Sequence, residues 1–115
     1  MQYTKLGNTD MEVSRFCLGC MRLGDSSRGM HNWAVPFDES KEIIGYAYDN
    51  GINFFDTAMS YQDGTGEEYL GRAIKELGIR NNVFLATKYT PRNTEELLQK
   101  YTGAEWIEQC IDNSL

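Results

Sequence analysis

Three ionisable residues in the middle of this 115-residue chain have types and spacing that suit acid–base chemistry. Asp56 ends one apolar run, Tyr61 follows it by five residues, and Lys88 ends the next apolar run. If both runs are parallel strands, their ends lie at one rim, where α/β barrels hold their active sites. An ammonium lowers the pKa of a nearby phenol, and a carboxylate orients the ammonium. Such a phenol can give a proton to a carbonyl oxygen as hydride reaches the carbon.

The same three residues also fit a simpler interpretation. Asp56 and Lys88 would then form an ordinary ion pair between neighbouring strands, as many protein surfaces do. Tyr61 would be an aromatic residue in a loop. The spacing alone favours neither interpretation.

Three nearly continuous apolar runs predict the strands that position these residues. The runs begin at residues 16, 52 and 83, which are 36 and 31 residues apart. Strands buried on both faces of a parallel sheet have this pattern, and the spacing matches one β-α-β unit each time. We therefore expect three parallel strands near residues 16–21, 52–56 and 83–88.

Helical periodicity predicts a helix after each run. We expect the first to begin after Asp38 as N-cap and to stop at Gly51, and the second to span residues 67–77 and end at Gly78. A capping-box pattern begins the third at Thr102, after a short helical turn at residues 93–98. The expected apolar faces are Ile43, Ile44, Ala47 and Tyr48, then Leu70, Ala73, Ile74 and Leu77, then Ile107, Cys110, Ile111 and Leu115.

The remaining segments complete a repeating pattern. Residues 1–15 predict a β-hairpin, residues 23–37 a long loop of the kind that often has a function, and residues 64–66 a flexible turn. A hairpin and three β/α units form less than half of a barrel, which needs eight units. We therefore expect residues 1–115 to be the partial domain at the front of a longer protein.

Composition excludes several classes of function. The net charge is −6 and the pI is about 4.7, so the basic footprint of a nucleic-acid-binding protein is absent. No apolar stretch approaches the roughly 18 residues of a membrane span, and the first residues have no signal-peptide pattern. We expect a cytoplasmic protein with neither a nucleic-acid nor a membrane partner.

Cys17 and Cys20 form a lone C-x-x-C, and Cys110 is the third cysteine. An odd, sparse count fits a reducing compartment without disulfides. A zinc site needs four ligands, and His31 is the one histidine. A thioredoxin-type pair opens a helix, whereas this pair lies in an apolar run. We therefore interpret the two cysteines as strand residues and expect no metal.

Several segments together resemble the aldo-keto reductases, over all 115 residues. The most specific is Asp-Asn-Gly-Ile-Asn-Phe-Phe-Asp-Thr-Ala followed by Tyr61. The others resemble the N-terminal hairpin, the first strand, the helix after the signature and the third strand of that family. The matching segments are residues 3–9 with 13–14, then 18–23, 49–58, 67–73 and 86–88. One departure is Gln62-Asp63, where many members have glycine.

The resemblance implies a (β/α)8 barrel that reduces aldehydes or ketones with NADPH or NADH. The family has a catalytic tetrad of Asp, Tyr, Lys and His, of which three map onto Asp56, Tyr61 and Lys88. The tetrad histidine ends the fourth strand, and the chain stops before it. His31 is not a candidate because it lies in the first loop.

The resemblance also implies where cofactor and substrate bind. Asp56 and the backbone of Gly19, Cys20 and Met21 correspond to the nicotinamide end of the cofactor site. Met21 and Trp33, with His31 beside it, border the substrate pocket. A buried strand and a loop aromatic over the barrel top remain the plainer alternatives. Most of the family's cofactor site comes from later strands, so we expect this chain alone to bind no cofactor.

Three hypotheses about function remain. The first is the N-terminal part of a reductase of small carbonyl compounds, inactive by itself. The second is a non-enzymatic half-barrel that self-associates or binds a complementary fragment. The third and weakest is a redox or metal module at Cys17 and Cys20. A reading frame that continues past Leu115 would favour the first hypothesis. A concentration-dependent oligomer would favour the second, and stoichiometric binding of zinc would favour the third.

Overall fold

The computed structural model describes residues 1–115 as a hairpin followed by three β/α units. The hairpin strands are β1 (Tyr3–Lys5) and β2 (Glu12–Ser14). The units consist of β3 (Leu18–Gly19), α1 (Phe37–Asp49), β4 (Phe54–Asp56), α2 (Thr65–Leu77), β5 (Phe84–Ala86), α3 (Glu95–Lys100) and α4 (Gly103–Ser114). Two short 3-10 turns lie at Tyr61–Gly64 and Arg80–Asn82.

The three later strands form one parallel sheet in the order β3-β4-β5, as predicted. Leu18 pairs with Phe55, and Phe55 pairs with Leu85. The antiparallel hairpin β1–β2 forms a separate sheet. It is attached to the start of β4, because the Asn53 side chain accepts a hydrogen bond from the Ser14 amide at 2.7 Å.

The strands are shorter than the apolar runs that predict them. The first run begins with a turn, in which the Ser14 hydroxyl donates to the carbonyl of Phe16 at 2.6 Å. That local bond keeps the segment out of the ladder, and Phe16 is 70% exposed. In the second run, Asn53 comes just before β4, and its side chain contacts the hairpin. Hydrophobicity alone therefore overestimates the length of these strands.

The core lies between the sheet and the helices α1 and α2. Phe55, in the central strand, is completely buried. The buried cluster consists of Cys20, Leu23, Val35, Ile44, Ala47, Phe55, Leu70, Ala73, Ile74, Ile79 and Val83. Burial of this apolar surface is the main force that holds the units together.

The chain does not close into a barrel. Its extents are 46 × 38 × 20 Å and its Cα radius of gyration is 15.4 Å, compared with about 13 Å for a compact domain of ~100 residues. The sheet keeps two free edges, at β3 and β5. The fold is therefore an open α/β sheet with the uniform repeat of a partial barrel. No helix has both the length and the apolar character that crossing a membrane requires.

The start of α1 differs from the prediction. The helix begins at Phe37 with Pro36 at the N-cap position, so Asp38 lies in the first turn and is not the N-cap. Proline is well suited to a helix start because its φ is already helical and it lacks a donor there. The predicted stop is confirmed, since Gly51 has φ of +90° and donates to Tyr48.

The start of α2 also differs. The helix begins at Thr65, and both Thr65 and Gly66 are buried in its first turn. The segment 64–66 is therefore not a flexible turn. A Cβ on Gly66 would lie 3.1 Å from the carbonyl oxygen of Leu23 and 3.1 Å from the Cβ of Tyr61. Glycine allows this close packing. Gly78, with φ of +69°, ends the helix as predicted.

The helix α4 has the predicted capping box, in which Thr102 and Glu105 each bond the other's backbone amide. The short helical turn before it is the helix α3, capped by Thr94. The predicted apolar face of α4 is only partly confirmed. Cys110 is buried, but Ile107, Ile111 and Leu115 are 39%, 51% and 99% exposed, so Cys110 alone of the four is fully packed.

Neighbouring isoleucines in α1 provide a test of the core. Ile44 is completely buried, whereas Ile43 is 37% exposed, although periodicity placed both on one face. We expect Ile44→Ala to lower the free energy of unfolding by about 2–5 kcal/mol. Ile43→Ala, the matched control, should cost well under half as much. Urea unfolding followed by circular dichroism measures both, and equal losses would contradict the position of the core.

Candidate active site

The ends of β4 and β5 bring Asp56 and Lys88 together. Asp56 is the last residue of β4, and its carbonyl accepts a hydrogen bond from the Cys20 amide at 2.8 Å. Backbone pairing continues beyond the strands: the Thr57 amide donates to Ala86 at 2.8 Å, and the Met59 amide donates to Lys88 at 3.2 Å. This pairing fixes the position of Lys88 opposite the end of β4.

The side chains of Asp56, Tyr61 and Lys88 meet at this rim. The Lys88 Nζ atom lies 2.6 Å from Oδ2 of Asp56 and 2.7 Å from the carbonyl oxygen of Thr57. The same nitrogen is 5.1 Å from the centre of the Tyr61 ring, within the range of a cation–π contact. The sequence-based expectation that the three residues lie together therefore agrees with the structure.

The site keeps its lysine charged. Partial burial acts to lower the pKa of the Lys88 ammonium, but hydrogen bonding to Asp56 and Tyr61, and the charges of these groups, raise it above its usual value. The side chains of Lys88 and Asp56 are 47% and 38% exposed. The pair is therefore accessible to a ligand and is screened by solvent, so its contribution to stability is small.

The 3-10 turn that follows β4 sets the position of Tyr61. The Tyr61 amide donates to the Ala58 carbonyl at 3.1 Å. The first turn of α2 packs directly on Tyr61 through Gly66, as described above. The tyrosine is thus held between the segment that follows β4 and the buried first turn of α2.

The first strand contributes Gly19, Cys20 and Met21 beside Asp56. Gly19 is the register partner of Asp56, and no atom lies within 4 Å of the position that a Cβ on Gly19 would occupy. Met21 is 43% exposed, whereas Cys20 is 1% exposed with its side chain in the core. Gly19 and Met21 therefore border open space at the rim, and the Cys20 side chain faces away from it.

The first loop contains a stacked aromatic pair. The rings of His31 and Trp33 are 4.2 Å apart with an interplanar angle of 22°, and the Arg22 guanidinium lies 5.5 Å from the centre of the Trp33 ring. Trp33 is 41% exposed. The pair is an accessible surface at the end of the loop that precedes α1.

Sequence reasoning missed Gln62, which it treated only as a departure from a glycine pattern. This side chain is 2% exposed, and its amide bonds the backbone of the first loop at Asp25, Arg28 and His31. A signal was available in the sequence. A large polar residue at a turn position that is typical of glycine needs contacts that stabilise it there, because the left-handed conformation is unfavourable for it.

The two neighbouring cysteines do not form a reactive pair. Cys17 is exposed, Cys20 is buried, and both thiols are free. Burial raises the pKa of the Cys20 thiol to about 12, and partial burial followed by the Asp56 charge raises that of Cys17. Thiolates are the nucleophiles and metal ligands, so these protonated thiols are poorly suited to either role.

A cleft of about 610 Å³ lies between α2, β5 and the C-terminal end of α4. None of the three candidate catalytic residues lines it. Its apolar walls include the exposed Ile111 and Leu115. Thr57 and Thr87, the chain neighbours of Asp56 and Lys88, also line the cleft, so it reaches the strand ends next to the rim.

Comparison with known proteins assigns the family. The model of the aldo/keto reductase family matches residues 15–115. The chain is 36% identical over 115 residues to aldo-keto reductase YhdN of Bacillus subtilis, covering 100% of this chain and 34% of that protein. It is 39% identical over 89 residues to versiconal hemiacetal acetate reductase of Aspergillus parasiticus, covering 76% of this chain and 25% of that protein.

Solved structures agree with this assignment. The holo form of aldo-keto reductase AKR11C1 from Bacillus halodurans matches with a TM-score of 0.73 and 30% identity, over 100% of this chain and 35% of that one. The chain belongs to the aldo/keto reductase family. It corresponds to an N-terminal portion of these proteins and spans about a third of the length of the Bacillus relatives.

The charge of Lys88 gives a prediction about pH. We expect Asp56→Asn to lower the pKa of Lys88, because the carboxylate that favours the ammonium is removed. Since the folded pKa lies above the unfolded one, the pair's small stabilisation is present at neutral pH and is lost as pH rises through the raised folded value. NMR titration of isotopically labelled lysine methylated at Nζ measures the shift.

Asp10→Asn provides the control for this titration. Asp10 pairs with Lys5 on the exposed hairpin at 3.5 Å, so its loss leaves Lys88 unaffected. A Lys88 pKa that is the same in Asp56→Asn and in the unaltered chain would contradict the ion pair described here.

Proposed function

We propose that this chain forms the N-terminal part of an NAD(P)H-dependent reductase of aldehydes and ketones, in which Tyr61 is the proton donor. The observation that carries the proposal is the Lys88 ammonium, 2.6 Å from Asp56 and 5.1 Å from the centre of the Tyr61 ring. The chain's own membership of the aldo/keto reductase family supports it.

The roles of the three residues follow from their charges. Lys88 stays protonated and places a positive charge beside the Tyr61 phenol, which stabilises the developing phenolate as the proton leaves. Asp56 and the Thr57 carbonyl restrain the Lys88 side chain, so the charge needs no rearrangement during the reaction. Tyr61 is held by the Ala58 carbonyl and the first turn of α2, and it donates its proton to the carbonyl oxygen.

We assign the rim beside Gly19 to the reactive end of a nicotinamide cofactor. The missing side chain of Gly19 leaves open space next to Asp56, and the exposed Met21 borders it. The reduced nicotinamide supplies the hydride when it is bound. Asp56 and the backbone at Gly19, Cys20 and Met21 are the residues of this chain that we assign to that end of the cofactor, with NADPH and NADH both compatible.

The substrate side of the site is assigned to exposed apolar residues near the rim. Met21 and the Trp33 ring are both partly exposed, and they offer apolar contacts to the organic group of a small carbonyl compound. We further propose that the longer protein is cytoplasmic and that β/α units beyond the third complete a closed barrel. Those units would supply the tetrad histidine and the residues that bind the adenosine end of the cofactor.

Tyr61→Phe tests the proton donor in the longer protein that we propose. We expect carbonyl reduction to fall by about 10²–10⁴-fold, since the general acid is removed, while cofactor binding stays nearly unchanged. Steady-state rates with a reactive aldehyde and a fluorescence titration with NADPH measure the two effects. Tyr46→Phe is the matched control, because Tyr46 is 74% exposed on α1. Near-normal turnover in Tyr61→Phe would remove Tyr61 from the mechanism.

Lys88→Met tests the charge beside the phenol. We expect a loss of activity comparable to that of Tyr61→Phe, because the phenolate loses its stabilising cation. Lys5→Met, on the exposed hairpin, is the control with the same chemical change. The pH–rate profile of the longer protein gives the comparison, and an unaltered profile in Lys88→Met would exclude this role.

The 115-residue chain by itself should show no measurable reductase activity. Loss of one preorganised donor costs about 10²–10³ in rate, and most of the proposed cofactor surface lies outside this chain. Its exposed Phe16, Leu98 and Ile111 and its free strand edges favour self-association. NADPH titration, an aldehyde assay and analytical ultracentrifugation test this expectation. Saturable binding with turnover from a monomer would overturn it.

A further inference from the structure

The side chain of Gln62 connects the loop around Tyr61 to the first loop. Its Oε1 accepts from the His31 amide at 3.2 Å, and its Nε2 lies 3.1, 2.6 and 2.8 Å from the carbonyl oxygens of Asp25, Arg28 and His31. The two hydrogens of Nε2 are shared among these three acceptors. We propose that Gln62 is a positioning residue that fixes residues 24–33 beside Tyr61, and with them the His31–Trp33 pair.

The backbone at Gln62 supports this role. Gln62 and Asp63 have φ of +47° and +55°, in the left-handed region that residues with side chains seldom occupy. Such a conformation persists when surrounding contacts hold it. The Gln62 amide contacts four backbone groups of the first loop from a residue that is 2% exposed, and these are contacts of that kind.

The first loop is shaped around this side chain. A Cβ on Gly24 would lie 2.6 Å from the Cβ of Gln62, and a Cβ on Gly29 would lie 2.7 Å from the Cα of Gln62. Both glycines have positive φ. The loop therefore approaches Gln62 as closely as backbone allows at two separate points.

Other contacts between the two loops are weaker or depend on the same turn. The Arg28–Asp63 ion pair, at 2.9 Å, has side chains that are 49% and 68% exposed, so solvent screens it. The Thr65 hydroxyl accepts from the Asp25 amide at 2.9 Å and donates to the Gln62 carbonyl at 2.6 Å. The Gln62 amide is thus the buried polar link that reaches furthest along the loop.

The contacts of Gln62 also affect the residues assigned to the substrate side of the site. Gln62 holds His31 by both its amide and its carbonyl, and the His31 ring stacks on Trp33. Because Gln62 follows Tyr61 directly in the chain, the position of Trp33 is coupled to that of Tyr61. Assigning this coupling to substrate selection rests on the proposed function, whereas the anchoring of the loop does not.

Gln62→Glu tests the anchoring in the 115-residue chain with almost no change of shape. The introduced carboxylate cannot donate, and it faces the three carbonyl oxygens that now share the two hydrogens of Nε2. We expect amides in residues 24–33 to exchange with deuterium about tenfold faster or more, as loss of a hydrogen bond to a buried group permits. Hydrogen exchange with mass spectrometry, which tolerates oligomers, measures this against peptides of α1.

Three further measurements make the test decisive. Gln2→Glu adds the same charge on the hairpin and should leave residues 24–33 protected. In Gln62→Glu, acid should restore protection, after correction for intrinsic exchange, because the protonated carboxyl can donate again. If the effect of Gln62→Glu came instead from general destabilisation of the fold, acid would lower the protection further. Gln62→Gly accepts the positive φ without strain and removes the whole side chain, amide included, so it decides the matter if Gln62→Glu fails to fold.

The outcomes separate this proposal from the proposed function. Faster exchange confined to residues 24–33 in Gln62→Glu or Gln62→Gly supports the anchoring role. Unchanged exchange in a folded variant overturns it. In the longer protein, Gln62→Gly should raise KM for bulky aldehydes more than it lowers kcat. If carbonyl reduction is absent altogether, the proposed function fails while the exchange result stands.

Discussion

The register of β4 against β5 is the constraint on which the candidate site depends. Asp56 pairs with Ala86, and this alignment brings Lys88, two residues further on, within 2.6 Å of the Asp56 carboxylate. A slip of one residue would turn alternate side chains to the opposite face of the sheet. The same register buries Phe55 completely, so the packing that makes the slip costly also fixes the geometry of the rim.

Much of this architecture is predictable because its signals are local. Continuous apolar runs predict buried parallel strands, and residues at the ends of such strands share a rim whatever joins them. The capping residue Thr102 and the helix-ending Gly51 and Gly78 act within a few residues of their own positions. The meeting of Asp56 with Lys88 follows from strand order alone, which is why it was predicted without knowledge of any contact.

The features that sequence reasoning missed depend on contacts between distant segments. Periodicity places Ile43 and Ile44 on one face, but only the packed position of α1 decides that Ile44 is the buried one. Gly66 was interpreted as flexible because its neighbour in space, Leu23, lies 43 residues away along the chain. The Gln62 amide bonds a loop more than 30 residues away, and no pattern within its own segment indicates that partner.

Different side chains account for the stability of this chain and for the chemistry proposed at its rim. Burying a side chain such as Phe55 contributes about 1.5–3 kcal/mol, whereas an exposed ion pair contributes about 0–1 kcal/mol. The half-exposed Asp56–Lys88 pair therefore adds little to folding, and its ammonium lies 5.1 Å from the centre of the Tyr61 ring, where the proposed proton transfer needs a positive charge. Gln62 combines the two roles, because a buried amide with four partners is costly to leave unpaired and also holds a loop beside Tyr61.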